Sequence, residues 1–244
     1  MISVTTADFL TAWEHGLSQS GSRRLVTLLA TVYADMTEEQ LLKLPIGQRN
    51  DLALNLRELL FGSQLTSLAD CPLCSERLEL ELNANDLRVE VQNSAEKPLT
   101  LKSDGFELEF RLPDTRDLLV IETVGNVENA RRILLERCLL SAFHNGQPCV
   151  VNNLPEDILD KIEATMTEAD PQAEMQLDLS CPACQHNWLA VFDIASFLWS
   201  ELNAWAQRIL NEVHLLAKAY SWRETDILAM SSTRRRLYLE RVMQ

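Results

Sequence analysis

The sequence predicts an α+β protein: a helical N-terminal region over residues 1–68, a small β/zinc-ribbon centre over 69–192, and a helical C-terminal region over 193–244. Three observations carry that prediction. Two CPxC segments, Cys71-Pro72-Leu73-Cys74 and Cys181-Pro182-Ala183-Cys184, are separated by 106 residues. Each lies beside a run that alternates with period two, Arg77-Leu78-Glu79-Leu80-Glu81-Leu82 and Met175-Gln176-Leu177-Asp178-Leu179, as half-buried strands do. Toward both ends of the chain the apolar period becomes helical.

In order along the chain, Asp8-Phe9-Leu10-Thr11-Ala12-Trp13 opens an amphipathic helix, and Ser22 is placed to cap a second over Arg23–Val32. Thr37-Glu38-Glu39-Gln40 has the form of a capping box. Pro45-Ile46-Gly47 is expected to end the helix that this box opens ahead of Leu41 and Leu42. Another helix is expected from about Asn50 to Leu60, with Leu52, Leu56, Leu59 and Leu60 on one face and Gly62 just past its end. Leu99 to Lys102 and Phe106 to Leu112 read as a hairpin about Asp104-Gly105, with Phe106, Leu108, Phe110 and Leu112 inward. Helices are expected over Val127–Phe143 and Pro155–Ala169, joined by a loop at Asn145-Gly146-Gln147-Pro148.

After the second CPxC, His186 to Phe192 reads as a short strand, and Asp193 stands at the cap of the longest helix. Ile194, Leu198, Leu202, Trp205, Ile209, Val213, Leu216 and Tyr220 fall on one stripe of its wheel, with Asn203, Gln207, Asn211, His214 and Lys218 opposite. Trp199 and Leu210 widen the apolar arc on one side. They pack either on the chain's own N-terminal helices or on another protein, and they are the candidate partner-binding residues. Ser221-Trp222-Arg223-Glu224 has capping-box form, and Ser232 is placed to cap a last helix through Val242.

Cys71, Cys74, Cys181 and Cys184 are the candidate metal ligands. Each CPxC turn supplies two sulfurs, and four thiolates close a tetrahedral Zn²⁺ sphere with no position left for water, which makes such a site structural. Redox dithiols, disulfides and unmetallated thiols are the competing readings, but a thioredoxin-type dithiol wants a strand-helix neighbour that neither segment has. His186, two residues after Cys184, is a substitute ligand or a solvated ring. Cys138 lies in a helical run as a small core residue, and Cys149 has no assigned role.

The net charge is −14, and residues 71–200 hold 10 basic against 23 acidic side chains. Such a field repels a nucleic-acid backbone, leaving Arg234-Arg235-Arg236 as the single candidate patch. With the zinc ribbon, that patch motivates an alternative reading as a nucleic-acid or transcription-associated binding module. No apolar run is long enough to span a bilayer and no export signal opens the chain, so a soluble, unexported protein is expected. There is no phosphate-binding glycine loop, nucleophile elbow or HExxH motif, so neither an enzyme nor a small-molecule substrate is expected.

Asp170-Pro171-Gln172-Ala173, Cys181 to Trp188, Phe192-Asp193-Ile194, Phe197 to Glu201, Glu212 to Ala217, Tyr220-Ser221-Trp222 and Arg234 to Leu239 together resemble the phage-type baseplate protein family of contractile tails. Trp13-Glu14-His15-Gly16, Leu44-Pro45-Ile46-Gly47-Gln48-Arg49 and Leu56-Arg57-Glu58 fit the same pattern, and the C-terminal third is its more specific part. That family is linked to the T-even phage baseplate hub assembly chaperone. The resemblance implies a non-enzymatic assembly factor or structural component of a phage-like baseplate, with hub or tail proteins as partners. It also implies a place in the cytoplasm of a bacterial host cell or on an assembled tail particle.

Overall fold

The computed structural model describes residues 4–89 and 97–242; residues 1–3, 90–96 and 243–244 lie outside the described residues. The chain divides into two compact units, Met1–Glu38 with Ala195–Gln244, and Glu39–Ile194. The protein is α+β, with helices toward both ends, as expected.

In the first unit, α1 (Thr6–Gly16) starts where Thr5 and Asp8 exchange hydrogen bonds in a capping box. Helix α2 (Gly21–Val32) follows; Ser20, not Ser22, is its N-cap residue, and Ser22 turns inward. The long helix α8 (Ile194–Tyr220) buries Leu198, Leu202, Ile209, Val213 and Leu216 of the expected stripe, with Ala206 buried beside them. Asn203 departs from its expected polar face: it is half-buried, because the indole Nε1 of Trp13 donates to its Oδ1 at 3.0 Å. Phe9 meets Trp205 edge to face at 6.4 Å.

Ser221 does not cap the next helix. It sits at φ 56° and donates its N–H to the carbonyl of Ala217 at 2.8 Å, closing α8 instead. Arg223 is the N-cap residue of α9 (Glu224–Leu228). The Ser231 hydroxyl, rather than that of Ser232, accepts the Arg234 N–H at the start of α10 (Ser232–Val242).

The second unit begins with α3 (Glu38–Lys43), whose first residue belongs to the other unit, and α4 (Ile46–Phe61). Pro45 opens α4 rather than only ending α3, since a proline costs nothing where the amide has no helical acceptor. The buried face of α4 also departs from expectation: Arg49, Asn50 and Arg57 turn inward with Ala53, Leu54 and Leu56, while Leu59 stays exposed. Gly62 at φ 86° ends it as expected.

Strands β1 (Gln64–Asp70) and β2 (Arg77–Asn83) form one antiparallel hairpin, and β7 (Met175–Ser180) and β8 (Asn187–Phe192) another. Between them stands a sheet of order β3-β4-β5-β6. Strands β3 (Leu99–Ser103) and β4 (Phe106–Phe110) turn at Asp104 and Gly105, both at positive φ, as a two-residue hairpin requires.

The helix expected through Phe143 stops early. Helix α6 (Val127–Cys138) gives way to β5 (Leu139–His144), because Leu139 to His144 supply the partner for β4 and bury Ala142. The expected loop at Asn145-Gly146 is then a hairpin turn at φ 49° and 78° into β6 (Gln147–Pro148). The short helix α5 (Thr115–Ile121) follows a capping box of Asp114 and Asp117. Phe106, Leu108 and Phe110 from the sheet pack with Leu135 and Cys138 of α6 and Ile158, Ile162 and Met166 of α7 (Glu156–Ala169). Burial of each such large apolar side chain contributes about 1.5–3 kcal/mol.

Candidate metal centre

The two CPxC segments fold as near copies, each at the tip of its own hairpin. In the first, the Cys71 N–H donates to the Glu76 carbonyl at 2.8 Å and Ser75, at φ 61°, donates to the Cys71 carbonyl at 2.9 Å. In the second, Cys181 donates to His186 at 2.9 Å and Gln185, also at φ 61°, donates to Cys181 at 2.9 Å. Strand pairing leads into these turns at Asp70 opposite Arg77 and at Ser180 opposite Asn187. A proline after the first cysteine suits such a turn because its φ is already set.

The four sulfurs converge within 4.8 Å of one another, with Cys71 and Cys181 buried, Cys184 half-buried and Cys74 exposed. Sγ of Cys71 lies 3.7 Å from that of Cys184, and Sγ of Cys74 lies 3.6 Å from that of Cys181. A tetrahedral metal with bonds of about 2.3 Å to sulfur separates its ligands by about 3.8 Å, so the donor set fits a single ion. All four thiols are free.

The electrostatics fit as well. Burial opposes the Cys71 thiolate, but the N–H groups of Cys74 and Leu73 and the neighbouring thiols stabilise it, bringing its pKa down from 9.0 to about 7. Cys74 moves the other way: the Glu76 N–H favours its thiolate, yet Cys184, burial, Cys181 and Cys71 push it up to about 12. At Cys184 the His186 N–H and then the Cys74 sulfur favour ionisation, but burial, Cys181 and Cys71 outweigh them and raise the pKa. One thiolate therefore forms readily and opposes the next. A divalent cation reverses that opposition, and the backbone N–H groups spread the remaining negative charge.

A family model described as T4 bacteriophage base plate protein matches residues 6–199. The chain belongs to this family. A search of curated proteins and a search of solved structures each found no match. The base plate match spans all four cysteines and ends at Trp199, so Glu212 to Ala217, Tyr220-Ser221-Trp222 and Arg234 to Leu239 lie beyond it. Two of the segments that carry the resemblance meet inside the second unit. The Gly47 N–H donates to Asp170 Oδ2 at 2.9 Å, and the Asn50 amide donates to the Gln172 and Ala173 carbonyls at 3.1 and 3.2 Å. The Gln172 side chain in turn binds Leu87 O and Val89 N–H at 3.0 and 2.7 Å. Sequence alone pairs none of these residues, which lie more than a hundred positions apart in the case of Gly47 and Asp170.

The other residues singled out in the sequence fall outside the sulfur cluster. His186 is half-buried and stacks its ring on Trp188 at 6.0 Å, contributing through its backbone. Cys138 is buried in the core, where burial and then Asp117 push its pKa up to about 12. Cys149 is half-buried against the same core. The Trp199 ring is half-buried: a Cβ at Gly16 would come within 2.5 Å of it, and the Arg24 guanidinium lies 4.8 Å above it. Leu210 is also half-buried. Arg235 is 3% exposed and gives its Nε to Glu212 at 3.0 Å, so the middle of the arginine triplet is a carboxylate partner inside its own unit. Among the described residues, no helix is long and apolar enough to cross a membrane.

Proposed function

We propose that this chain is a non-enzymatic assembly factor, or chaperone, or a structural component of a phage-like contractile-tail baseplate, with its zinc-ribbon centre held by a structural Zn²⁺. The observation that carries the reading is the base plate family match over residues 6–199, which spans both CPxC turns. Cys71, Cys74, Cys181 and Cys184 would hold the ion, and four soft thiolates in tetrahedral array favour zinc. A sphere closed by four sulfurs leaves no site for a reacting water or substrate, so the ion's role is to join two hairpins that the sequence keeps far apart.

The partners in this reading are baseplate hub or tail proteins, met inside the bacterial host cell or on the assembled tail particle. Neither a membrane, a nucleic acid nor a small-molecule substrate enters it. Leu210 and the uncovered part of the Trp199 ring are the proposed partner contacts. Deleting the gene from its phage-like element and counting finished tails by electron microscopy tests the reading. The expected result is loss of complete baseplates, restored by the intact gene. Mass spectrometry of purified tails then separates the two roles, since an assembly factor is absent from the particle and a component is present. Normal tail numbers without the gene would overturn the proposal.

A further inference from the structure

We propose that the cleft between α1 and α9 is a docking groove for a basic amphipathic helix of a partner protein. The cleft lies within the first unit, in a different unit from the metal centre, and has a volume of about 430 Å³. The half-buried Leu228 supplies apolar surface beside the buried Leu10, with the exposed Ala7 and Ala229 keeping the walls low. Ala7, Leu10 and Glu14 lie on one face of α1 at successive turns, and Glu224 and Leu228 lie one turn apart on α9, with Ala229 just past its end.

Charge identifies the occupant. Glu14 and Glu224 are the ionisable residues lining the cleft; both are exposed, and neither has an ion-pair partner among the described residues. Two helices bounding an apolar trough, each with an unpaired carboxylate on its rim, complement a third helix that carries an apolar ridge flanked by Lys or Arg. The walls come from side chains of two helices and present no sheet edge, so an extended strand has no backbone ladder to join.

The test uses the full chain and a fluorescein-labelled synthetic helix with Leu at helical spacing and Lys at the flanking positions, read by fluorescence anisotropy. A second peptide carries Glu in place of every Lys. The expected result is saturable binding of the basic peptide alone, weakened about tenfold or more by Glu14→Lys with Glu224→Lys and by raised salt, with melting unchanged. Ala229→Trp, which fills the trough, should abolish binding; the charge reversals at exposed positions keep the test decisive if that variant unfolds. No binding of the basic peptide, equal binding of the acidic one, or indifference to the charge reversal would overturn the proposal. Sedimentation showing a dimer that Ala229→Trp dissociates would also overturn it, by assigning the cleft to a second copy of this chain.

Discussion

Replacing Cys74 with Ser isolates the contribution of the metal. Cys74 is exposed, so the substitution removes almost no buried surface, and in a metal-free protein it would change stability by no more than about 0.5 kcal/mol. With a shared ion the outcome is different. The Cys74–Cys181 approach joins residues 107 positions apart. Closing a loop of that size removes about 4.7 kcal/mol of unfolded-state entropy in the chain-entropy treatment, and structural zinc can contribute ~10 kcal/mol or more of apparent folding free energy. Loss of one thiolate should therefore lower stability by at least about 4–5 kcal/mol, a large share of the roughly 5–15 kcal/mol that ordinary domains possess. For a chain of this size that is a drop of roughly 10–20 °C in melting temperature. Differential scanning calorimetry of parent and Cys74→Ser, with and without chelator, reads the effect. A chelated parent should melt near the variant, and a variant melting within about 2 °C of an unchelated parent would refute the shared site.

Three further outcomes follow from the geometry. Because the Cys71 pKa in the folded chain lies below its usual value, its contribution is complete above the ordinary thiol pKa and is lost as pH falls through about 7. Because a bound ion needs its thiols deprotonated, metal release monitored with a chromogenic chelator should rise as pH falls, and retention unchanged down to about pH 4 would contradict the thiolate site. Gly47→Ala would place a Cβ 1.7 Å from Asp170 Oδ1, so displacement of that carboxylate should cost roughly 2–4 kcal/mol in urea unfolding; a change under about 0.5 kcal/mol would show that the Gly47–Asp170 contact is dispensable. Trp199→Ala should cost about 3 kcal/mol because its ring covers Gly16, whereas Leu210→Asp should leave melting nearly unchanged and remove co-purification with baseplate components; co-purification that persists would remove Leu210 from the contact.

Much of this fold is legible in local pattern. The CPxC turns and their flanking alternation mark the candidate metal centre because two-residue spacing and period-two burial are both written in adjacent residues. The stripe of α8 is equally plain. What escapes is set by distant partners. Leu139 to His144 continue the helical period of α6, and only pairing with β4 makes them a strand, although Asn145-Gly146 signals the hairpin turn that follows. Strand β1 lacks a strong alternation of its own and is held by seven pairings to β2. Arg49, Asn50 and Arg57 look like a solvated face of α4 and are buried instead; Asn50 finds its acceptors more than a hundred residues away, at Gln172 and Ala173. The arginine triplet misleads for the same reason, since Glu212 claims Arg235.

The central claim is one metal ion on four sulfurs contributed by both CPxC turns. Protein purified without chelator, analysed for metal content and then by X-ray absorption at the zinc edge, tests it most directly. The expected result is one Zn²⁺ per chain with four sulfur ligands at about 2.3 Å and no nitrogen or oxygen ligand. Absence of metal, a sphere containing nitrogen or oxygen, or one ion for every two chains would contradict it.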